Sequence, residues 1–325
     1  VPEARLQTAQ ALGAGAWWRF LRVEWPVLRP WLAGGLCLVF LYCFSGFGLA
    51  LLLGGDRYAT VEVEIYRLIA YELDMAQASV LVWLVLGITA AAGLLYARLS
   101  RRTDADKAHA APRPRKPATA AERLMVAAVL SVLCVCCLMP LLAVVRQAAL
   151  AGGSWRVLLE GETLAALWNT VRFSAAAVAA AAVLGVSYAC LARRAAWVRG
   201  AVFLPFMVSP VCVAFGVLLL YPQLTASLPL LIAAYALLAY PFVAKDVLAA
   251  WDALPQGYGE AARTMGANRF QTTFYITAPL LKPAFRRGLT LAAATCVGEF
   301  AATLFLARPE WQTLTTLIYA YLGRA

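Results

Sequence analysis

Chemically reactive side chains are scarce in this sequence. Its 325 residues include one histidine, His109, which lies in a polar, proline-rich stretch. No G-x-x-x-x-G-K-[ST] loop for binding phosphates is present. The eight cysteines lie in apolar segments without metal-ligand spacing or histidine partners; they are Cys37, Cys43, Cys134, Cys136, Cys137, Cys190, Cys212 and Cys296. We therefore predict that the chain is not an enzyme and holds no metal or other cofactor.

Charge is also scarce, and long apolar runs take its place. Charged residues make up 14% of the chain and hydrophobic residues 63%, with a mean hydropathy of +0.73, values that exclude an ordinary soluble domain. Apolar runs of about 20 residues, the length that crosses a bilayer, lie at 31–53, 78–98, 124–146, 164–192, 199–221, 229–251 and 284–306. We predict an all-α, polytopic transmembrane helical bundle with seven visible spans in a lipid bilayer.

Positive charge is distributed unevenly among the segments between these runs. Segments 1–30, 98–123, 193–199 and 252–287 hold 20 Lys and Arg, whereas the intervening loops hold 6. Cytoplasmic loops of membrane proteins carry the excess of basic residues, so we place the first set in the cytoplasm. The same asymmetry accounts for the net charge of +11, and no nucleic-acid binding is predicted.

One stretch of the sequence occurs twice, 253 residues apart and without a gap. Pairs at this spacing include Gly13 and Gly266, Pro26 and Pro279, Gly35 and Gly288, Phe47 and Phe300, Leu53 and Leu306, and Tyr66 and Tyr319. A long ungapped match indicates one structural unit used twice. Both copies begin on the predicted cytoplasmic side, so the halves are parallel repeats rather than the inverted repeats of many secondary transporters.

The beginning of each copy carries a recognisable motif. In the second copy the motif consists of Glu260, Ala261, Ala262, Gly266, Ile276 and Pro279. The first copy keeps Ala9, Gly13 and Pro26 but has Gln7 and Thr8 at the first two positions. This pattern resembles the EAA loop of the permease subunits of bacterial ATP-binding-cassette importers. The resemblance implies that both loops are cytoplasmic coupling elements that dock into a separate ATPase.

The resemblance extends over essentially the whole chain and implies its organisation and partners. It implies a type I importer permease with two fused halves in the bacterial inner membrane, an ATPase dimer on the cytoplasmic side and a periplasmic solute-binding protein. Residues 1–98 would form the C-terminal part of the first half, and 99–121 would be a flexible cytoplasmic linker. Residues 122–325 would belong to the second half. The 253-residue register also predicts that four spans of the first half and the last span of the second lie outside this sequence.

Residue types in the second loop predict its local structure. Gly266 suits the left-handed conformation that ends a helix. Asn268 and Gln271 have the spacing of a capping box at the start of a second short helix. Phe270 and Phe274 would share one face of that helix, so we expect a bent, two-helix knuckle with exposed aromatic rings.

Few ionisable residues fall inside the predicted spans, and Glu299 is the deepest. Carboxylates within a membrane are energetically costly and commonly functional. Glu299, and Ser45 beside its repeat equivalent Gly46, are therefore candidates for the translocation path, although Glu299 could instead bond across helices. The outer loop 54–77 has five acidic residues and three tyrosines, which predicts an acidic, aromatic vestibule suited to a cationic or aromatic solute.

The solute prediction depends mainly on residues 1–85. Segments such as Trp18–Pro26 and Tyr58–Thr60 resemble the first half of proteobacterial thiamine permeases and, less closely, fused ferric-iron permeases. Ferric iron needs several hard oxygen ligands, whereas the spans offer the carboxylates of Glu299 and Asp246. For an aromatic monocation such as thiamine, one carboxylate and several rings suffice. We expect a thiamine permease; the alternatives are a ferric-iron permease, a secondary transporter and an intramembrane enzyme.

Overall fold

The computed structural model describes residues 3–54, 57–104, 119–195, 198–199, 208–224, 227–255 and 257–322. All regular secondary structure within these ranges is helical, which confirms the all-α prediction. Most of the predicted linker and residues 200–207 of the predicted span 199–221 lie outside the described ranges.

The helices lie before and after the predicted linker, and two of them extend into its described ends at 99–104 and 120–121, where the sequence predicted a flexible segment. Before it are α1 (Glu3–Ala11), α2 (Ala16–Arg19), α3 (Trp25–Phe44), α4 (Phe47–Gly54), α5 (Val61–Arg67) and α6 (Met75–Asp104). After it are α7 (Ala120–Leu150), α8 (Gly161–Arg194), α9 (Pro210–Leu220), α10 (Leu228–Ala253), α11 (Gly257–Thr264), α12 (Arg269–Gln271), α13 (Ala278–Val297), α14 (Ala301–Leu306) and α15 (Leu314–Leu322). The π-helical turns Phe20–Glu24 and Thr272–Thr277 join α2 to α3 and α12 to α13.

The chain divides into two compact units. The first unit comprises Val1–Arg29 and Thr103–Leu164, and the second comprises Pro30–Arg102 and Ala165–Ala325. The long helix of the first unit, α7, begins with a capping box in which the Thr119 hydroxyl accepts the N–H of Glu122 at 3.3 Å. This apolar helix has no buried residues, so its surface suits a lipid environment.

In the second unit, α8, α10 and α13 pack closely because glycines lie at their contacts. A Cβ atom on Gly288 of α13 would lie 2.8 Å from the Cα of Val243 of α10. A Cβ atom on Gly185 of α8 would lie 2.7 Å from the Cβ of the same valine. Small residues let membrane helices approach closely and gain van der Waals contact. A hydrogen bond between the hydroxyls of Tyr235 and Thr303 links α10 to α14.

Four helical segments of the described chain are long and apolar enough to cross a membrane. They are Met75–Tyr96, Ala120–Leu150, Gly161–Arg194 and Leu228–Ala253, and they match the predicted windows 78–98, 124–146, 164–192 and 229–251. A fifth candidate combines Ala16–Arg29 with Leu32–Phe44. The described part of the window 199–221 contains the shorter apolar helix α9.

The structure divides each of the two remaining windows into two helices, where the sequence predicted one continuous span. Within 31–53, α3 ends at Phe44 and α4 follows. Within 284–306, α13 ends at Val297 and α14 follows. Phe44 and Val297 are 253 residues apart, so the two helices break at equivalent positions of the repeat.

Local sequence explains these breaks. Gly46 and Gly298 lie at the two breaks, and glycine costs a helix interior about 1 kcal/mol relative to alanine. In the second copy the Glu299 carboxylate also favours a new helix start, because its Oε1 accepts the N–H of Ala302 at 3.0 Å. Hydropathy alone does not detect either effect, since the windows stay apolar throughout.

Candidate functional site

The second copy of the motif ends its first helix with a glycine turn. Gly266 has φ +86°, the left-handed conformation predicted from the sequence. Its N–H donates to the carbonyl of Arg263 at 3.0 Å, and the N–H of Ala267 donates to the carbonyl of Ala262 at 3.0 Å. These two bonds form a Schellman motif, which satisfies the last carbonyls of α11.

The first copy forms the same turn. Gly13 has φ +78°. Its N–H donates to the carbonyl of Gln10 at 2.9 Å, and the N–H of Ala14 donates to the carbonyl of Ala9 at 3.0 Å. The two loops therefore share one backbone geometry, although the first lacks the Glu-Ala pair at its start.

Residues that follow the glycine differ between the two copies. In the second copy, Asn268 Oδ1 accepts the N–H of Gln271 at 2.8 Å, and Gln271 Oε1 accepts the N–H of Asn268 at 2.9 Å. This is the predicted capping box. The equivalent N-cap position in the first copy is Gly15, which has no side chain to cap α2.

The second loop exposes a concentrated apolar surface. Met265 is 81% exposed, Phe270 65%, Phe274 57% and Tyr275 76%. The rings of Phe270 and Phe274 lie 4.3 Å apart between centroids, as the predicted shared face requires. Exposed apolar patches of this kind mark protein or membrane contacts.

The predicted motif residues of the second loop occupy different environments. Glu260, Ala261, Gly266 and Pro279 are exposed, Ile276 is half-buried and Ala262 is buried. Ala262 is buried, whereas Glu260 and Ala261 remain on the surface. The exposed residues are accessible to a partner.

The first loop presents its own aromatic surface in the first unit. Gln7, Thr8, Gly13 and Pro26 are exposed and Ala9 is half-buried. Trp17 and Trp18 are 70% and 59% exposed. The guanidinium of Arg22 lies 5.2 Å from the ring centroid of Trp18, a cation–π contact at the surface.

Glu299 of the predicted path is buried at the break between α13 and α14. Its carboxylate accepts the N–H of Ala302, and its backbone carbonyl accepts the hydroxyl of Thr315 at 3.0 Å. These contacts give Glu299 a structural role at the helix start. Ser45 is half-buried at the equivalent break. Within the described ranges, no group of three His, Cys, Asp or Glu residues is arranged to hold a metal ion.

The described acidic residues of the outer loop 54–77 lie in different local environments. Glu64 and Glu72 pair with Arg67 at 2.8 and 3.5 Å. Asp74 caps α6 by accepting the N–H of Gln77 at 2.9 Å. Glu62 is buried. Among the acidic residues that the structure describes in this loop, Glu64, Glu72 and Asp74 make local contacts and Glu62 is buried.

Glu62 is the buried group that the sequence interpretation missed. Its side chain is 1% exposed. Neither carboxylate oxygen has a hydrogen-bond partner of normal geometry, although the Ser209 hydroxyl and the Phe47 amide face the carboxyl group. Burial raises the pKa of this carboxyl from 4.5 to about 7. The repeat offered one signal of its burial: the position equivalent to Glu62 holds Thr315, an uncharged residue.

Several curated proteins are similar to this chain along nearly its whole length. The thiamine transport system permease protein ThiP of Brucella abortus (strain 2308) is 26% identical over 340 residues, covering 99% of the chain and 62% of the relative. ThiP of Escherichia coli (strain K12) is 26% identical over 347 residues, covering 99% and 63%. The sulfate transport system permease protein CysT of the same strain is 35% identical over 89 residues, covering 27% and 32%. The chain spans less than two thirds of the length of the ThiP relatives.

A family model matches residues 1–105 and 181–322 and is described as "Binding-protein-dependent transport system inner membrane component". The matched ranges include both glycine-turn loops and both broken helices. They cover more than half of the chain and confirm the resemblance found in the sequence. The chain therefore belongs to the family of inner-membrane components of binding-protein-dependent transport systems and is a multi-pass permease component rather than an enzyme.

Proposed function

We propose that this chain forms part of the permease subunit of an ATP-driven importer that passes thiamine from a periplasmic binding protein to the cytoplasm. The proposal is carried by the similarity to ThiP proteins over 99% of the chain. Thiamine is an aromatic monocation, and the described part of the second unit contains two buried acidic residues, Glu62 and Glu299. A buried carboxyl group near a solute path is ionised more readily when a cation approaches, which favours a cation over a neutral or anionic solute.

The two glycine-turn loops are the contacts for a dimer of separate ATPase subunits. Both loops have the same Schellman geometry and expose aromatic side chains beside small residues. We assign the stronger contact to the loop of Glu260, Ala261, Ala262 and Gly266, because its capping box fixes the knuckle. The loop of Gln7, Thr8, Ala9 and Gly13 makes the weaker contact.

The solute path runs beside the two broken helices, near Glu299 and Ser45. Non-helical backbone at membrane depth is tolerated where it is buried in protein or lines a water-filled cavity. Transport proteins commonly build solute sites at such discontinuous helices. The equivalent breaks after Phe44 and Val297 give each half one such position.

Uptake of labelled solute tests the assignment. The complete permease that contains this chain, with its ATPase and binding protein, is supplied to cells that lack their own thiamine and ferric-iron permeases. We expect saturable uptake of labelled thiamine that stops when the ATPase cannot hydrolyse ATP. Uptake of ferric iron but not of thiamine would show that the solute is iron. Thiamine uptake by the permease in the absence of any ATPase would refute the assignment to ATP-driven importers.

A further inference from the structure

Two aromatic pairs related by the repeat meet in the second unit. The rings of Phe47 and Tyr66 are edge-to-face, with centroids 5.7 Å apart and planes at 66°. Their equivalents, Phe300 and Tyr319, are 5.4 Å apart with planes at 62°. Phe47 also stacks on Phe300, its own equivalent, at 5.9 Å and 24°. We call these four residues the aromatic quartet.

Contact between repeat equivalents has a geometric meaning. In an arrangement with two-fold symmetry, a residue touches its own equivalent at the axis. The stacked rings of Phe47 and Phe300 therefore mark the pseudo-two-fold axis of the two broken-helix segments. A solute that passes at this position can contact equivalent side chains of both halves.

Further rings connect the aromatic quartet to the surface of the second unit. Tyr71 meets the ring of Tyr66 at 6.0 Å and 87° and is 71% exposed. Phe305 lies 5.3 Å from Tyr66 and 6.2 Å from Phe47. Phe47 itself is 2% exposed. These contacts form a continuous chain of aromatic rings from the exposed Tyr71 to the buried Phe47.

A buried carboxyl group lies beside the inner end of this chain of rings. The carboxylate of Glu62 faces the amide of Phe47, and both its oxygens lack a complete hydrogen bond. An unpaired carboxylate in an apolar environment costs several kcal/mol if it is ionised. A cation at the quartet would supply the missing partner.

We propose that the aromatic quartet is the gate of the transport path and the contact surface for an aromatic cation, with Glu62 as the counter-charge. The proposal deepens the thiamine assignment and rests on it for the choice of ligand. The stack of Phe47 on Phe300 closes the gate in this structure. A passing cation replaces this stack with ring and cation–π contacts of its own, and the two tyrosines flank it.

Removal of the central rings tests the contact surface. We expect Phe47→Leu with Phe300→Leu, made in the complete permease with its partners, to lower labelled thiamine uptake roughly tenfold, because cation–π contacts in a desolvated site are lost. Trp83→Leu is the matched control, since Trp83 lies on α6 and is 76% exposed. Uptake by the double leucine variant within twofold of the unmodified protein would overturn the proposal.

A second measurement tests the gate without any solute. Tyr319→Cys is treated from outside with a membrane-impermeant thiol reagent, and the unmodified protein with its native cysteines is the background. We expect severalfold faster labelling when the ATPase dimer is trapped with ATP than when it is nucleotide-free. Equal rates in both states would overturn the gate. A change in rate in a permease that imports no thiamine would refute the solute assignment and leave the gate standing.

Discussion

The two copies of the repeat share their backbone and differ in the polar side chains that stabilise it. Both contain a left-handed glycine, Gly13 or Gly266. In each copy a π-helical turn follows, and then a 20-residue helix, which is α3 in the first copy and α13 in the second. The second copy caps its short helix with Asn268 and Gln271, whereas the first has Gly15. The two turn glycines therefore have the same conformation in both copies, while the caps differ.

The broken helices show the same contrast with acidic residues. In the second copy Glu299 lies in the break and caps the following helix. In the first copy Gly46 occupies that position, and the carboxylate of Glu62, from α5, faces the amide of Phe47 instead. The equivalent of Glu62, Thr315, donates its hydroxyl to the carbonyl of Glu299. Both breaks are thus contacted by the same neighbouring position, with a different chemical group in each half.

The largest expected effect concerns the two turn glycines. Gly266→Val forces a β-branched residue into a left-handed conformation at a local cost of about 1 to 3 kcal/mol. No atom lies within 4 Å of the added Cβ, so the effect comes from the backbone. We expect ATP-driven uptake to fall more than tenfold while membrane insertion persists, and Gly13→Val to cause a smaller loss.

Gly257→Val is the control, because Gly257 lies in the same loop without a positive φ and also has open space around it. If Gly266→Val left uptake unchanged, the glycine turn would have no part in coupling. Equal losses from both glycine substitutions would remove the proposed difference between the loops.

The second expected effect is a pH dependence due to Glu62. Its pKa is raised to about 7 from 4.5, so the folded state retains a proton that the unfolded state loses. The contribution of Glu62 to the free energy of unfolding is fully present below pH 4.5. It decreases by about 3 kcal/mol as the pH rises from 4.5 through 7. The groups that face Glu62 are the Ser209 hydroxyl, the Cys212 thiol and the Phe47 amide. Glu62→Gln should remove this loss, measured as the change in Tm of purified protein between pH 5 and pH 8. An unchanged pH dependence in the variant would show that another group is responsible.

The third effect concerns the cap at the second break. Glu299→Ala leaves the buried N–H of Ala302 without its acceptor, at a cost of about 1 to 3 kcal/mol. Glu299→Gln keeps an oxygen acceptor and should preserve most of the stability. Thermal unfolding of the two variants separates these outcomes. A Gln variant as unstable as the Ala variant would mean that the charge, rather than the hydrogen bond, is required.

The smallest effect concerns the short-helix caps. Asn268→Ala should reduce stability by about 1 kcal/mol, the usual contribution of an N-cap. Gly15→Asn should stabilise the first loop by a few tenths of a kcal/mol, because asparagine exceeds glycine only slightly at this position. Hydrogen exchange of the two loops is the suitable measurement. A loop whose exchange is faster after Gly15→Asn would contradict the equivalence of the two caps.

Local features of the loops could be predicted from the sequence. The left-handed Gly266, the capping box of Asn268 and Gln271, and the paired rings of Phe270 and Phe274 depend on residues within a few positions of one another. Short-range rules are therefore sufficient. The membrane class and the family follow from composition and from the spacing of the motif.

Features that depend on distant contacts could not be predicted in the same way. Glu62 lies in a loop whose composition predicts an exposed, acidic segment. It is buried because Phe47 and Ser209 approach it from other segments of the chain. The breaks in windows 31–53 and 284–306 depend on glycine and capping within segments that remain apolar. Hydropathy measures transfer into lipid and does not measure the continuity of a helix.

The proposed contact of both loops with the ATPase is tested most directly at Leu12 and Met265. They are repeat equivalents beside the two glycines and are 82% and 81% exposed. A photo-crosslinking residue is placed at each position in turn, and Tyr42, 66% exposed in the second unit, is the control position. We predict crosslinks to the ATPase subunit from both loop positions, with a higher yield from position 265, and none from position 42. Absence of ATPase crosslinks from both loop positions would contradict the account.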